Sequence, residues 1–240
     1  MSLYAIADVH LYLGTDKPMD VFPGWADYVA RLEQNWRSVV SAGDTVVVAG
    51  DISWAMKLEE SRADLAFLHS LPGRKLLLKG NHDLWWSTMR KMEDFLNQNH
   101  FDSLSFIHNN AAVVDTVAVC GTRGWFFDDV QSDRKVVARE AGRLERSIEE
   151  AKRAGGEPVV FLHYPPVYGG QRCDEMMEVL HRHEIHRCYY GHIHGAGRRQ
   201  AAQGTIEGIQ MRLISCDALG FAPILVEKCP YDASNRPFFE

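Results

Sequence analysis

The chain has little of what would place it outside the ordinary globular class. Its 240 residues include five cysteines, at positions 120, 173, 188, 216 and 229. The count is odd, the spacing is wide and no C-x-x-C occurs, which argues against a disulfide framework or a zinc knuckle. No apolar run approaches the length of a membrane span, and "MSLYAIADVH" carries no basic region followed by a long apolar one. These absences set the expectation of a cytoplasmic protein without a membrane partner. Basic residues are not in excess. The formal net charge is -6, which argues against duplex nucleic acid, because such partners reward basic surfaces. A small phosphate ester needs only local positive charge and stays open. Internal repeats, low-complexity tracts and a clear linker are missing as well, so residues 1–240 read as one domain with length enough to bury a core.

What the chain does have is layered patterning. Strands are expected at 3–7, 45–50, 75–80, 104–107, 111–114, 117–121, 158–163, 187–191, 211–215 and 222–227. Most are continuous apolar runs, so they should be covered on both faces. Three stripes have helical period: Trp25 to Val39, Leu84 to Leu96, and Val137 to Ala151. The early β-α-β-α-β order implies an α/β fold. The strands after residue 104 have little helix between them and suggest a mixed sheet. Residues 126–135 and 164–174 read as surface loops near the strand ends, and the tail from Cys229 as poorly ordered.

Five strands end on ligand-type residues: "ADVH" (Asp8, His10), "AGD" (Asp51), "GNHD" (Asn81, His82, Asp83), "FLH" (His163) and "YGHIHG" (His192, His194). Each alone has a bland reading. An Asp caps turns, and a lone His is more often a hydrogen-bonded core residue. Together they point to one centre, because ligands in layered α/β folds bind outside the carboxyl ends of the strands. Of these, two carboxylates (Asp8, Asp51), four imidazoles (His10, His163, His192, His194) and one amide oxygen (Asn81) make up the candidate ligand set, which has no thiolate and suits Mn, Fe, Zn or Co rather than Ca or an iron–sulfur cluster. Seven ligands exceed one tetrahedral ion and fit two ions with a bridging carboxylate. Such a centre stays cationic and attracts an anion such as a phosphate ester.

The series Asp8-x-His10, Gly50-Asp51, Gly80-Asn81-His82-Asp83, His163, Gly191-His192-x-His194 resembles the calcineurin-like metallophosphoesterase superfamily. The resemblance implies a four-layer α/β/β/α sandwich of two mixed sheets flanked by helices. It implies two divalent ions, with Mn, Fe or Zn foremost. Asp8, His10 and His194 would hold one, Asn81, His163 and His192 the other, and Asp51 would bridge. It implies in-line attack on phosphorus by a metal-bridging hydroxide, with His82 contacting the phosphate or protonating the leaving oxygen. The expected activity is hydrolysis of a small phosphodiester or phosphomonoester. A nuclease acting on single strands, or a non-catalytic metal-binding scaffold of the same fold, are the alternatives.

One departure stands out. Many relatives read Gly-Asp-x-x-Asp, whose last Asp orients the catalytic histidine, whereas here "GDISW" puts Trp54 there. Asp83 is the carboxylate nearest His82 in the chain; it is read as a catalytic partner, with stabilisation of the loop as the other reading. Lys79 precedes Gly80 where phosphoprotein-specific relatives usually carry Arg, which argues against that substrate class. Arg123 can bind a phosphate oxygen or form a surface ion pair. Trp54, Trp86 and Tyr168 are candidates for the substrate wall. Arg198 and Arg199 read as a solvated pair.

Overall fold

A computed structural model of the chain describes residues 1–125 and 134–228. The expected loop over 126–135 falls mostly outside these residues, and the expected disorder from Cys229 onward lies wholly outside them. In chain order the elements are β1 (Ser2–Ile6), α1 (Tyr28–Val39), β2 (Thr45–Ala49), α2 (Arg62–Ser70), β3 (Arg74–Leu78), α3 (Met89–Gln98), β4 (Leu104–Phe106), β5 (Ala112–Val114) and β6 (Val117–Thr122). There follow α4 (Arg134–Arg153), β7 (Glu157–Leu162), β8 (Val167–Tyr168), β9 (Gln171–Arg172), α5 (Asp174–Arg182), β10 (Arg187–Tyr190), β11 (Gly204–Ile206), β12 (Ile209–Leu213) and β13 (Ile224–Lys228).

Two mixed sheets result. The first has the order β13-β1-β2-β3-β4, parallel except for β13. The second has the order β11-β12-β10-β7-β6-β5, parallel except for its outer strands β11 and β5. Strand alternation explains how the sheets stack. Leu3, Ala5, Val47, Ala49, Leu76 and Leu78 of the first sheet meet Val117, Val119, Val159 and Phe161 of the second in one buried layer. The intervening residues face outward. Ile6, Val46, Val48 and Leu77 pack with Leu32 and Trp36 of α1, Leu65 of α2 and Met92 of α3. Ala118, Cys120, Val160 and Leu162 pack with Leu144 and Ile148 of α4 and Met177 and Leu180 of α5. The layers are therefore α/β/β/α, as expected. The continuous apolar runs follow from it, because both faces of each central strand are covered.

All ten expected strands form, within a residue or two at their ends. The short β8, β9 and β11 and the helices α2 and α5 were not anticipated. The middle stripe is corrected. Residues 84–88 are not helical, and α3 begins only at Met89. The two sheets are stitched where their parallel strands end. Ala7 N–H donates to Ile214 O (2.8 Å) and Cys216 N–H to Ala7 O (2.9 Å). This brings the loops after β1 and β12 side by side.

Candidate metal centre

The seven ligand-type residues come together at this seam, on loops after β1, β2, β3, β7 and β10. Four of them, Asp8 (φ 59°), His10 (φ 43°), Asp51 (φ 51°) and His192 (φ 72°), are in the left-handed region, which costs a non-glycine residue energy. The neighbouring loops compensate. Asp8 N–H donates to Gly50 O (2.9 Å), His10 N–H to Asp51 O (2.9 Å) and Leu11 N–H to Ile52 O (2.9 Å). Two glycines let the loops close. A Cβ on Gly191 would sit 2.5 Å from Asp8 Oδ2, and one on Gly80 would collide with Asp51 Oδ1 and its backbone nitrogen.

The side chains fall into two groups joined by Asp51. On one side His10 Nε2 is 3.3 Å from His194 Nε2, and His194 Nε2 is 3.4 Å from Asp8 Oδ1. On the other, Asn81 Oδ1 is 2.6 Å from His163 Nε2 and 3.1 Å from His192 Nδ1. Asp51 turns Oδ2 toward His10 Nε2 (3.7 Å) and Oδ1 toward His163 Nε2 (3.5 Å). Ligand atoms of Asp8, His10 and His194 lie within 4.8 Å of one another, as do those of Asp8, Asp51 and His163.

Whether cations fit can be judged from the charges. Asp8 and Asp51 are buried, and among the described residues neither pairs with a Lys or Arg. Two such carboxylates are costly without compensating positive charge. Burial, then the carboxylates of Asp83 and Asp8, push Asp51 well above the usual carboxylate range. Burial also pushes Asp8 up, but the imidazoles of His194, His163 and His10 outweigh it and hold Asp8 low. Burial lowers His10 and His163 and favours the neutral, ligating form. His163 Nδ1 faces Ala49 O (3.2 Å), so its Nε2 lone pair is turned toward Asn81 Oδ1. Opposed acceptors around buried carboxylates are the donor set that divalent cations take.

His82 sits at the edge of this cluster, its backbone N–H donating to Asp51 Oδ1 (2.8 Å). Among the described residues its ring makes no hydrogen bond. It is flanked by rings instead: Trp54 at 4.5 Å between centroids, and His10, itself stacked on Trp54, at 5.9 Å. Burial, then the neighbouring His163 and His192, lower its pKa. Trp54 thus holds the His82 ring by packing, where the Asp expected from the family resemblance would hold it by a hydrogen bond.

Asp83 is placed differently from the catalytic expectation. It is fully buried, and its oxygens accept from the N–H groups of Ile52 (2.9 Å), Ser53 (3.2 Å) and Gly80 (2.7 Å) and from Trp85 Nε1 (2.9 Å). None of these bonds goes to His82; Asp83 ties the β2 and β3 loops together. Trp85 is buried because its indole joins this knot rather than through helical phase. Trp86 packs edge-on against Phe106 (5.0 Å) and faces His108 (6.4 Å). Tyr168 lies in the β8–β9 hairpin and bridges to Ala201. Neither Trp86 nor Tyr168 is among the residues that line the cavity beside His82. That cavity, about 520 Å³, is bounded by His10, His82 and His194 and by Met19, Phe22, Pro23, Trp25 and Trp54. Arg123 lies elsewhere, in a second cavity with Lys79.

One residue escaped the sequence reading. Asp217 Oδ1 is 3.0 Å from His194 Nδ1, and its Oδ2 accepts from Gly195 N–H (3.0 Å). Burial alone would lower His194, but Asp8 and Asp217 raise it to about 10. A carboxylate behind a ligating imidazole fixes the tautomer and raises basicity. The signal was present, because Asp217 follows a strand end in "LISCD". Arg198, expected to be solvated, donates to Asp217 O (2.7 Å) and supports the same turn.

Two mixed sheets with ligand-type side chains gathered at their parallel strand ends define a layered metallohydrolase-type site. The profile of the calcineurin-like phosphoesterase family matches residues 1–196, and the chain belongs to that family. It is a metal-dependent phosphoesterase. It is 25% identical over 261 aligned positions to the glycerophosphodiester phosphodiesterase GpdQ of Enterobacter lignolyticus (strain SCF1), covering 100% of this chain and 83% of that one. Two solved structures share the fold. One is a phosphopantetheinyl hydrolase from Mycobacterium tuberculosis (TM-score 0.50, 17% identity, 98% of each chain). The other is a protein of unknown function from Aquifex aeolicus (TM-score 0.50, 17% identity, 93% of this chain and 95% of that one).

Proposed function

We propose that the protein hydrolyses a small phosphodiester or phosphomonoester at a centre of two divalent ions, Mn, Fe or Zn. The observation that carries this reading is the convergence of seven ligand-type side chains, two of them buried carboxylates that lack a Lys or Arg partner among the described residues. Asp8, His10 and His194 would hold one ion and Asn81, His163 and His192 the other, with Asp51 shared between them. When bound, the ions supply an activated water and neutralise the phosphate oxygens. The protein's part is positioning and proton handling. Asp217 and Ala49 O orient His194 and His163. His82, held by Trp54, meets the leaving oxygen and gives it a proton. The apolar cavity beside it takes the alcohol portion of the ester. Asp83 holds the loop that carries Asn81 and His82.

We read residues 1–240 as one domain, which the pairing of β1 with β13 near the far end of the chain supports. No helix among the described residues is long and apolar enough to cross a membrane. The test is turnover of bis-p-nitrophenyl phosphate and p-nitrophenyl phosphate by protein purified with Mn²⁺. Hydrolysis of at least one, abolished by chelation and restored by metal, is expected. No turnover of either with both ions bound defeats the reading.

A further inference from the structure

The second cavity among the strand ends has no part in the chemistry above. It has a volume of about 240 Å³ and lies where β3, β4 and β6 end against α4. Among the described residues its walls carry Lys79, Arg123, Arg139 and Arg143, against a single acidic side chain, Glu140. In a protein whose net charge is -6, this concentration of cations is out of keeping with the rest of the chain.

Glu140 does not balance the cluster; it organises it. The residue is fully buried, with Oε2 accepting from Thr122 Oγ1 (2.9 Å) and Oε1 from Arg143 (2.6 Å). Arg123 and Arg139 approach the same Oε1 at 3.8 and 4.0 Å, beyond hydrogen-bond range. Arg123 Nε is shut off from solvent with no hydrogen-bond partner among the described residues, while its guanidinium lies 4.9 Å over the Trp125 ring, which fixes its plane. Lys79, half-buried, makes neither a hydrogen bond nor an ion pair among the described residues. Like charges held together, here with one shared counter-charge among the described residues, are unfavourable unless something else neutralises them. Guanidiniums in fixed planes beside an ammonium match a tetrahedral oxyanion, which takes two oxygens from an Arg fork and a point charge from Lys.

We propose that Lys79, Arg123, Arg139 and Arg143 form a second anion site that binds a phosphate group, distinct from the metal centre. The group is either a second phosphate carried by the substrate or free inorganic phosphate. The covalent path supports a link between the sites: Lys79 runs directly into Gly80-Asn81, and Arg123 O accepts from His163 N–H (3.1 Å).

Crystals of the metal-loaded protein soaked in selenate provide the test, read by anomalous scattering from selenium. A peak between Lys79, Arg123 and Arg143 is expected beside any peak at the metals. In crystals of Lys79→Gln, and separately of Arg139→Gln, the cavity peak should fall while a metal-centre peak persists. An empty cavity in wild-type crystals whose metal centre is filled overturns the proposal. Melting temperature provides a second readout. A structural ion-pair hub predicts that Lys79→Gln melts earlier with selenate occupancy unchanged, and that result also overturns it. The anion site predicts equal or higher melting temperature, because an uncompensated charge is removed. Kinetics separates the two sources. If the substrate carries the phosphate, Lys79→Gln raises the ratio of KM for a bisphosphate ester to KM for a monophosphate ester about tenfold, the worth of one charge-assisted hydrogen bond. If free phosphate binds, that ratio stays fixed and the variant instead loses the response of rate to added inorganic phosphate.

Discussion

The two sheets contribute to the centre in different ways. The loops of the first sheet, after β1, β2 and β3, carry the two proposed carboxylate ligands Asp8 and Asp51 together with His10, Asn81 and His82, and are woven together through their backbones. Asp83 alone accepts three main-chain N–H groups. The loops of the second sheet carry His163, His192 and His194. There His163 and His194 are aimed by acceptors behind their rings, Ala49 O and Asp217. The first side is a rigid frame that gathers negative charge, and the second a set of imidazoles tuned from behind. Damage to the first should therefore remove the centre or the fold around it, and damage to the second should shift metal affinity and pH dependence.

The largest expected effect lies on the first side. Asp51→Asn should lose metal at both positions, seen by elemental analysis, and cut kcat by about 10⁴-fold, since several kcal/mol of charge stabilisation go with the ions. His82→Ala should keep both metals and lose about 10²- to 10³-fold in kcat, most for poor leaving groups. If it lost the metals instead, the frame and the acid would not be separable functions. Asp83→Ala strips four buried N–H donors, three main-chain and the Trp85 indole, of their acceptor. It should cost about 3 kcal/mol or more in urea unfolding of the chelated protein, a loss of stability rather than of chemistry.

Asp217→Asn probes the second side and should weaken metal binding by about 10- to 100-fold with the fold intact. It also carries a pH signature. In metal-free protein His194 is raised to about 10, above the ordinary 6.5. The folded chain then holds that proton more tightly than the unfolded one. The stabilisation is complete below about pH 6.5 and is lost as pH rises toward 10. Melting temperature of the chelated wild type should fall across that window, and Asp217→Asn should flatten the fall. Metal affinity should rise over the same range, because a ligating imidazole must be deprotonated. The smallest effect belongs to the apolar wall. Phe22→Ala should raise KM for aryl esters a few-fold, about 1 kcal/mol of apolar contact, with kcat unchanged.

Much of this arrangement was legible in the residues. The apolar runs mark doubly covered strands, and the polar clusters stand directly after them, so strand-end geometry predicts their convergence. What was misread has specific causes. Trp85 is apolar at a spacing that fits the α3 stripe, yet its burial comes from the hydrogen bond to Asp83 in a non-helical loop. Asp217 was passed over because a single carboxylate after a strand has no local partner to give it meaning. The strands β8, β9 and β11 have two or three residues each and no apolar run. Asp83 and the orientation of His82 were ambiguous for the same reason, since neighbours in a chain need not touch.

The sequence by itself determined the periodicities of the main elements, the inventory of ligand-type side chains and their place at strand ends, because these depend on residue type and local spacing. Only the tertiary structure decided partnership. It set Asp217 behind His194, Trp54 against His82, Asp83 on the backbone of two loops, and Lys79 with Arg123 and Arg143 around Glu140. Most of those pairings join residues tens of positions apart, and their energies depend on burial and distance, which exist only once the two sheets have closed on each other.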